Sequence, residues 1–442
     1  MRRQTLVLLC LLPTTPALAA GYGLREQSTE AMGEAYAGAA ATASDAGFLA
    51  YNPAAAAGTG GGDFALSAVS IMPGSSANFT TALTAAGTPA GGNAKPNDFI
   101  RNAIIPDIAI RQRLDDRWSV GFSVSVPWGL STRYPTGWAG RYHALGSKLA
   151  TINLTPVIAY DLAPGFTIAG GIQAQYAKGT LSSAVDIGTL GALSAIPGSV
   201  PGGMDGSSTI NASGWGYGYV LGARAELSDG WTLGASYRSI VHHTLSGSWS
   251  FALDNFGLGA AIRNATTLLS NTSAKAKLAT PAELQFGLRK KFMENWTLLA
   301  SADWTDWSSF KNLTAVAGNP VQPNDVTLTN WKSSWLISLG TEYAASDDIT
   351  LRLGAALDQS PVPSATLAPR IPDADRTWVA AGVTWRASPA MDLKLSFSHL
   401  FNDSRTISQS SAATGNALRG TLVGTTESNV NVLGVALAYR WQ

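Results

Sequence analysis

From about residue 63 onward the chain alternates large apolar residues with small or polar ones at a period of two. The pattern is clearest near the end, where Leu433, Val435, Leu437, Tyr439 and Trp441 fall on one side of an extended chain and Gly434, Ala436, Ala438 and Arg440 on the other. Leu351, Leu353, Ala355 and Leu357 oppose Arg352, Gly354, Ala356 and Asp358 in the same way, and Leu393, Leu395 and Phe397 oppose Asp392, Lys394 and Ser396. One phrase punctuates the alternation: a tight polar turn, a large apolar residue, then a new strand. It opens at Asp115, Ala163, Ser228, Met293, Ser346 and Ser388. Each occurrence predicts a short hairpin turn. With one opening and one closing strand, these turns predict about fourteen strands, an even number as bacterial outer-membrane barrels have. The intervening connections, near residues 73–102, 128–148, 179–213, 244–274, 307–330, 359–375 and 403–428, are long and rich in Gly, Ser, Asn and Pro. Short turns on one rim and long loops on the other predict an antiparallel transmembrane β-barrel over residues 61–442, its loops facing outside.

The segment before the barrel is different. Residues 20–60 are rich in Ala, Gly and Ser, and the only large apolar side chains are Tyr22, Leu24, Met32, Tyr36, Phe48, Leu49 and Tyr51. So few anchors cannot offset the ordering entropy of such a stretch, which must therefore be held inside something else. An N-terminal plug, or hatch, in the lumen is the expectation. Before it, Arg2 and Arg3, the apolar run Leu6 to Leu12 and Ala17-Leu18-Ala19 read as a secretory signal over residues 1–19, with a mature chain from Ala20.

Alternation alone would also suit a soluble sandwich. Trp118, Phe166, Trp231 and Trp296 break the tie, because each directly follows a short turn, where a membrane-interface girdle needs amphipathic rings. Tyr439-Arg440-Trp441-Gln442 reads as an aromatic closing strand, with a final Gln in place of the usual terminal aromatic. Only 13% of residues are charged and 45% are hydrophobic, yet no apolar run long enough for a spanning helix occurs after the signal. Cys10 leaves with the signal, so the mature chain has neither disulfide nor thiolate chemistry. Without Arg2 and Arg3 there remain 28 basic against 29 acidic side chains, which recruits no nucleic acid.

Three motifs make the chain resemble the long-chain fatty-acid outer-membrane transporter (FadL/TodX) family. They are Gly33-Glu34-Ala35-Tyr36-Ala37-Gly38 followed by Asn52-Pro53-Ala54; Ser360-Pro361-Val362-Pro363 followed by Ile371-Pro372-Asp373-Ala374-Asp375-Arg376-Thr377-Trp378; and Pro127-Trp128-Gly129-Leu130. The resemblance implies a fourteen-stranded barrel closed by an N-terminal hatch, carrying hydrophobic molecules inward without an energy source. It further implies capture in an apolar groove among external loops, a deeper pocket, movement of the plug, and lateral release at a kinked strand.

Against that frame Tyr36, Asn52, Pro53 and Ala54 are the plug or gate candidates. Pro53 fixes its own φ and biases Asn52 to an extended conformation, so the tripeptide serves equally to fix the plug's exit. The small residues of the plug predict shallow packing against the wall and a cheap local shift. Pro127, Trp128 and Gly129 are the candidate kink: proline lacks a ladder donor and glycine lacks a side chain to fill the wall, although a strand simply ending there reads the same way. Ile187, Leu190 and Leu193 in one loop, with Phe251, Phe256 and Leu258 in another, are more apolar surface than an external loop exposes without packing or binding something. Lys178, Arg238 and Arg352 are inward by strand parity and are candidates for a substrate carboxylate. They are equally candidates for pairing with lumen acids, as are Arg111, Lys394 and Arg440. Long-chain fatty acids are the cargo the resemblance implies first and neutral aromatic hydrocarbons the alternative; after Tyr176-Ala177-Lys178 the chain continues Gly179-Thr180-Leu181-Ser182-Ser183, where the family's fatty-acid members carry further basic residues, a departure that weakens the first relative to the second. Gly214, Gly216, Gly218 and Gly222 share one strand face and predict room for plug or substrate.

Two other classes compete. A barrel hydrolase would need an imidazole base, and only His143, His242, His243 and His399 exist; His242 and His243 point to opposite faces of a strand, and no serine stands in a recognisable triad. A general porin predicts an open polar lumen. The expected partners are a hydrophobic small molecule and outer-membrane lipid, for a monomer without enzyme activity, cofactor or metal.

Overall fold

The computed structural model describes residues 21–58 and 60–441. The signal segment lies outside them. Fourteen antiparallel strands form one closed wall: β1 (Gly62–Leu83), β2 (Ala103–Arg113), β3 (Trp118–Ser125), β4 (Gly146–Ala163), β5 (Phe166–Asp186), β6 (Asp205–Glu226), β7 (Trp231–Arg238 and Val241–Ala252), β8 (Thr272–Thr280 and Glu283–Lys291), β9 (Trp296–Thr305), β10 (Ser334–Ala344), β11 (Ile349–Asp358), β12 (Arg376–Ser388), β13 (Met391–Asn402) and β14 (Thr421–Trp441). Each pairs with its neighbour in sequence, and β14 returns to β1 from Gly62↔Trp441 to Leu83↔Thr421. Closure leaves no edge whose backbone groups would face hydrocarbon.

The period-two pattern sorts side chains as expected. Ile104, Ile172, Tyr217, Leu339, Leu353 and Val435 are all more than half exposed on the outer face. Their neighbours in sequence turn inward. An exposed apolar belt is the property of a wall solvated by lipid, and among the described residues no helix is long and apolar enough to cross. All six short turns form where the phrase recurs. Trp118, Phe166, Trp231 and Trp296 stand exposed just beyond them, with Trp118 against Tyr160 at 4.6 Å and Trp296 against Tyr343 at 4.7 Å.

The long connections are shorter than expected. β1 runs to Leu83, β5 to Asp186, β7 to Ala252, and β6 and β14 begin at Asp205 and Thr421. Polar runs such as Asp205-Gly206-Ser207-Ser208-Thr209 lack an apolar face because they rise beyond the lipid, yet their backbones still pair with the next strand. Turn composition alone does not distinguish such a strand from a loop.

Candidate functional site: a plugged lumen with an apolar chamber

Residues 21–58 lie within the wall and are almost wholly buried. A short helix, α1 (Thr29–Gly33), is capped by the Ser28 side chain; the rest is turns and 3-10 segments. Ala35 and Tyr36 have positive φ, 49° and 66°, and Tyr36 sets its ring edge-on to Trp378 at 5.5 Å. Asn52 is extended (φ −146°, ψ 120°) ahead of Pro53. Its side chain accepts from the Ala54 amide at 2.9 Å and donates to the carbonyls of Ala40 and Ala223 at 2.6 and 3.0 Å. The tripeptide therefore ties two parts of the plug to the wall.

Packing here is close rather than shallow. Wall glycines admit the plug backbone: a Cβ at Gly354 would lie 2.1 Å from the Glu34 carbonyl carbon, at Gly234 1.9 Å from Ala40 O, and at Gly222 2.0 Å from Asn52 Oδ1. Gly214, Gly216 and Gly218 make room instead for the neighbouring strand, near Thr244 O, His242 O and Ser239 Oγ. Their shared face was legible in sequence; which neighbour fills it was not.

Buried ions clasp the same surfaces. Arg352 reaches Glu34 at 2.8 Å and Glu30 at 3.0 Å, and Lys394 bonds both Glu30 and Asp45. Arg111 pairs with Asp63 at 2.6 Å and donates to Ala43 O and Ala55 O. Arg238 meets Glu283 at 3.3 Å and donates to Ala50 O and Gln173. Arg440 pairs with Asp392. Arg238 and Arg352 are thus engaged with the plug and its surroundings. Lys178 is exposed while Ala177 beside it is fully buried; the inward expectation fails because Lys178 shares a strand face with the exposed Ile168 and Ile172, whereas Gln173, Gln175 and Ala177 turn inward.

At Pro127 the wall changes. β3 stops at Ser125, and a short strand, Gly129–Arg133, resumes against β4. β2 follows β3 only as far as Ile108↔Val124. The plug's first residues fill part of the interruption: Leu24 N donates to Pro127 O at 2.8 Å and Gly129 N to Tyr22 O at 2.7 Å. Trp128 is buried against Tyr22 and Trp307. The kink and the plug are therefore one hydrogen-bonded unit.

Tyr22 anchors this end. Its ring meets Trp307, Phe310 and Trp331 at 4.6, 5.4 and 5.6 Å, and its hydroxyl donates to Ala279 O at 2.8 Å. Trp307, Phe310 and Trp331 belong to a connection whose aromatic content was the available signal and was not singled out. The Gly21 amide donates to Asp373 at 3.2 Å, so the Ile371–Trp378 motif grips the start of the plug.

Beside Trp331 lies a small, nearly wholly apolar chamber of about 90 Å³, lined by Leu149, Leu181, Ile210, Leu245, Leu278 and Val362 among others, with Lys148 and Arg370 as its charged residues. Farther out, helices α2 (Ile187–Leu193) and α3 (Leu258–Thr266) pack on each other. Ile187 is fully buried between them, Leu258 partly so, while Leu193 and Phe256 are 65% and 71% exposed. Leu190 and Phe251 line a second, more open cavity beside them. The two apolar loops thus converge, but only part of the predicted groove set faces a void.

The family model described as outer membrane protein transport protein (OMPP1/FadL/TodX) matches residues 10–441. The chain belongs to this family. The long-chain fatty acid transport protein of Escherichia coli K12 is 29% identical over 422 residues, covering 90% of this chain and 92% of that one. Outer membrane protein P1 of Haemophilus influenzae is 25% identical and covers 97% of each. A crystal structure of a Pseudomonas aeruginosa FadL homologue superposes with a TM-score of 0.87 at 24% identity, covering 96% of this chain and all of that one. The Pseudomonas putida toluene transporter TodX gives 0.67 at 19%, covering 96% and 99%. This FadL-family member is accordingly an outer-membrane barrel.

Proposed function

We propose that the protein carries long-chain fatty acids inward across the outer membrane, as a monomer and without an energy source. The fatty-acid transport named for the Escherichia coli relative and the apolar chamber between external helices and plug support this reading, the chamber most directly. Each buried methylene gains about 0.8 kcal/mol, so an acyl chain leaves the external cavity at Leu190 and Phe251 for the chamber downhill. The chamber floor is Trp331, and through it Tyr22. Displacing residues 21–24 uncouples them from Pro127 and Gly129, and the interrupted wall then offers a lateral exit into lipid. Transport of this kind needs binding surfaces and no covalent chemistry.

Uptake of radiolabelled oleate into Gram-negative cells lacking their own transporter tests the reading, with toluene as the competing cargo. Oleate entry that depends on the protein is the expected result; toluene entry alone would support the neutral-hydrocarbon alternative, which the run Gly179–Ser183 favours. A large steady conductance in planar bilayers would instead identify a general porin.

A further inference from the structure

The apolar chamber has a polar neighbour. Thr327, Thr366, Ala368 and Arg370 face both the chamber and a smaller cavity, which His143, Gln409, Asn416 and Arg419 complete. Arg370 is only 4% exposed, yet its guanidinium is poorly met. One terminal nitrogen lies 3.5 Å from Ser147 Oγ and 3.4 Å from Ser182 O, the other 3.9 Å from Asp325, and Nε has no hydrogen-bond partner among the described residues. Asp325 is bonded directly to Arg419, so its single charge is shared between two arginines. His143 is 5% exposed, and its Nε2 is also unpartnered. Burial, with Arg419 and Arg370 nearby, pushes the imidazole pKa down to about 3, so it is neutral at physiological pH. Buried guanidinium groups are ordinarily fully hydrogen-bonded. Two arginines, one carboxylate and a neutral histidine leave positive charge in excess at the rim of a greasy space, and Lys148 on the chamber lining adds to it.

We infer that Arg370 is the carboxylate anchor of the chamber: the acyl tail occupies the apolar space, and the ionised head turns toward Arg370 Nε, with His143 and Arg419 completing its surroundings. A carboxylate offsets part of the excess charge and supplies the acceptor that Nε lacks. This assignment rests on the fatty-acid reading and sharpens it, because a neutral arene has nothing to place at this corner. None of the cations suggested by strand parity has this geometry.

Equilibrium dialysis of the purified full-length protein in amphipol, with radiolabelled oleate and oleyl alcohol, tests it. Arg370→Gln should weaken oleate binding about tenfold to a hundredfold, the worth of a charge-assisted hydrogen bond, and leave oleyl alcohol unchanged. Arg370→Lys should recover part of the loss. Asp325→Asn removes the competing negative charge and should tighten oleate binding, which keeps the test decisive if Arg370→Gln fails to insert. Equal loss of both ligands in Arg370→Gln, or unchanged oleate binding in Arg370→Gln or Asp325→Asn, overturns the assignment and leaves the transport reading standing. Wild-type protein that neither binds nor imports oleate overturns both.

Discussion

Replacing Arg352 by methionine should loosen the plug without opening the wall. Arg352 stands on β11 with its side chain 7% exposed; it bonds Glu34 at 2.8 Å, Glu30 at 3.0 Å and Thr384 at 2.7 Å. Methionine keeps much of the volume and removes all three bonds. Glu30 retains Lys394 and the Ser44 hydroxyl. Glu34, wholly buried, has Arg352 as its only ion-pair partner among the described residues. Breaking a buried pair from one side costs about 3–5 kcal/mol, and Glu34 can escape the upper end of that range by taking up a proton. About 3 kcal/mol against plug seating is the resulting estimate, roughly a hundredfold in the seated-to-released ratio. Single-channel recording in planar bilayers, with limited proteolysis of residues 21–58, reads that ratio directly. Frequent openings, new cleavage in the plug and an unchanged heat-resistant barrel band are expected. Wild-type conductance and protection in Arg352→Met would refute the view that buried ions hold the plug.

Gly354→Ala should release the plug in the same assays, because its Cβ would lie 2.1 Å from Glu34 backbone, whereas Gly137→Ala, with open space around it, should be silent. Tyr22→Ala truncates a buried aromatic and should cost the plug's leading end about 3–5 kcal/mol, seen as faster amide exchange confined to residues 21–28. Leu353→Arg places a charge on the lipid face and should destabilise the barrel in vesicles by about 2–4 kcal/mol if at mid-membrane, measured by urea unfolding.

Much of this molecule was legible without coordinates. Period-two alternation in a membrane wall is enforced residue by residue, since a one-position slip would put Arg352 or Lys394 into lipid and Leu353 or Leu395 into the lumen. Turn chemistry and the following aromatics are equally local, so the six turns, the strand number and the girdle could be read directly. The need to shelter residues 21–58 also followed, because their composition cannot sustain a core. Tertiary structure alone decided what met what. Which glycines admit the plug, which lumen cations it occupies, and how Trp307, Phe310 and Trp331 gather around Tyr22 depend on contacts between residues hundreds of positions apart. Lys178 marks a face misassigned from the sequence: it shares parity with the exposed Ile168 and Ile172, while Gln173, Gln175 and Ala177 turn inward. Arg370 is a different case. It lies in a loop with no periodicity to orient it, and only the folded arrangement of three separate connections reveals a buried guanidinium with an unanswered donor beside an apolar space.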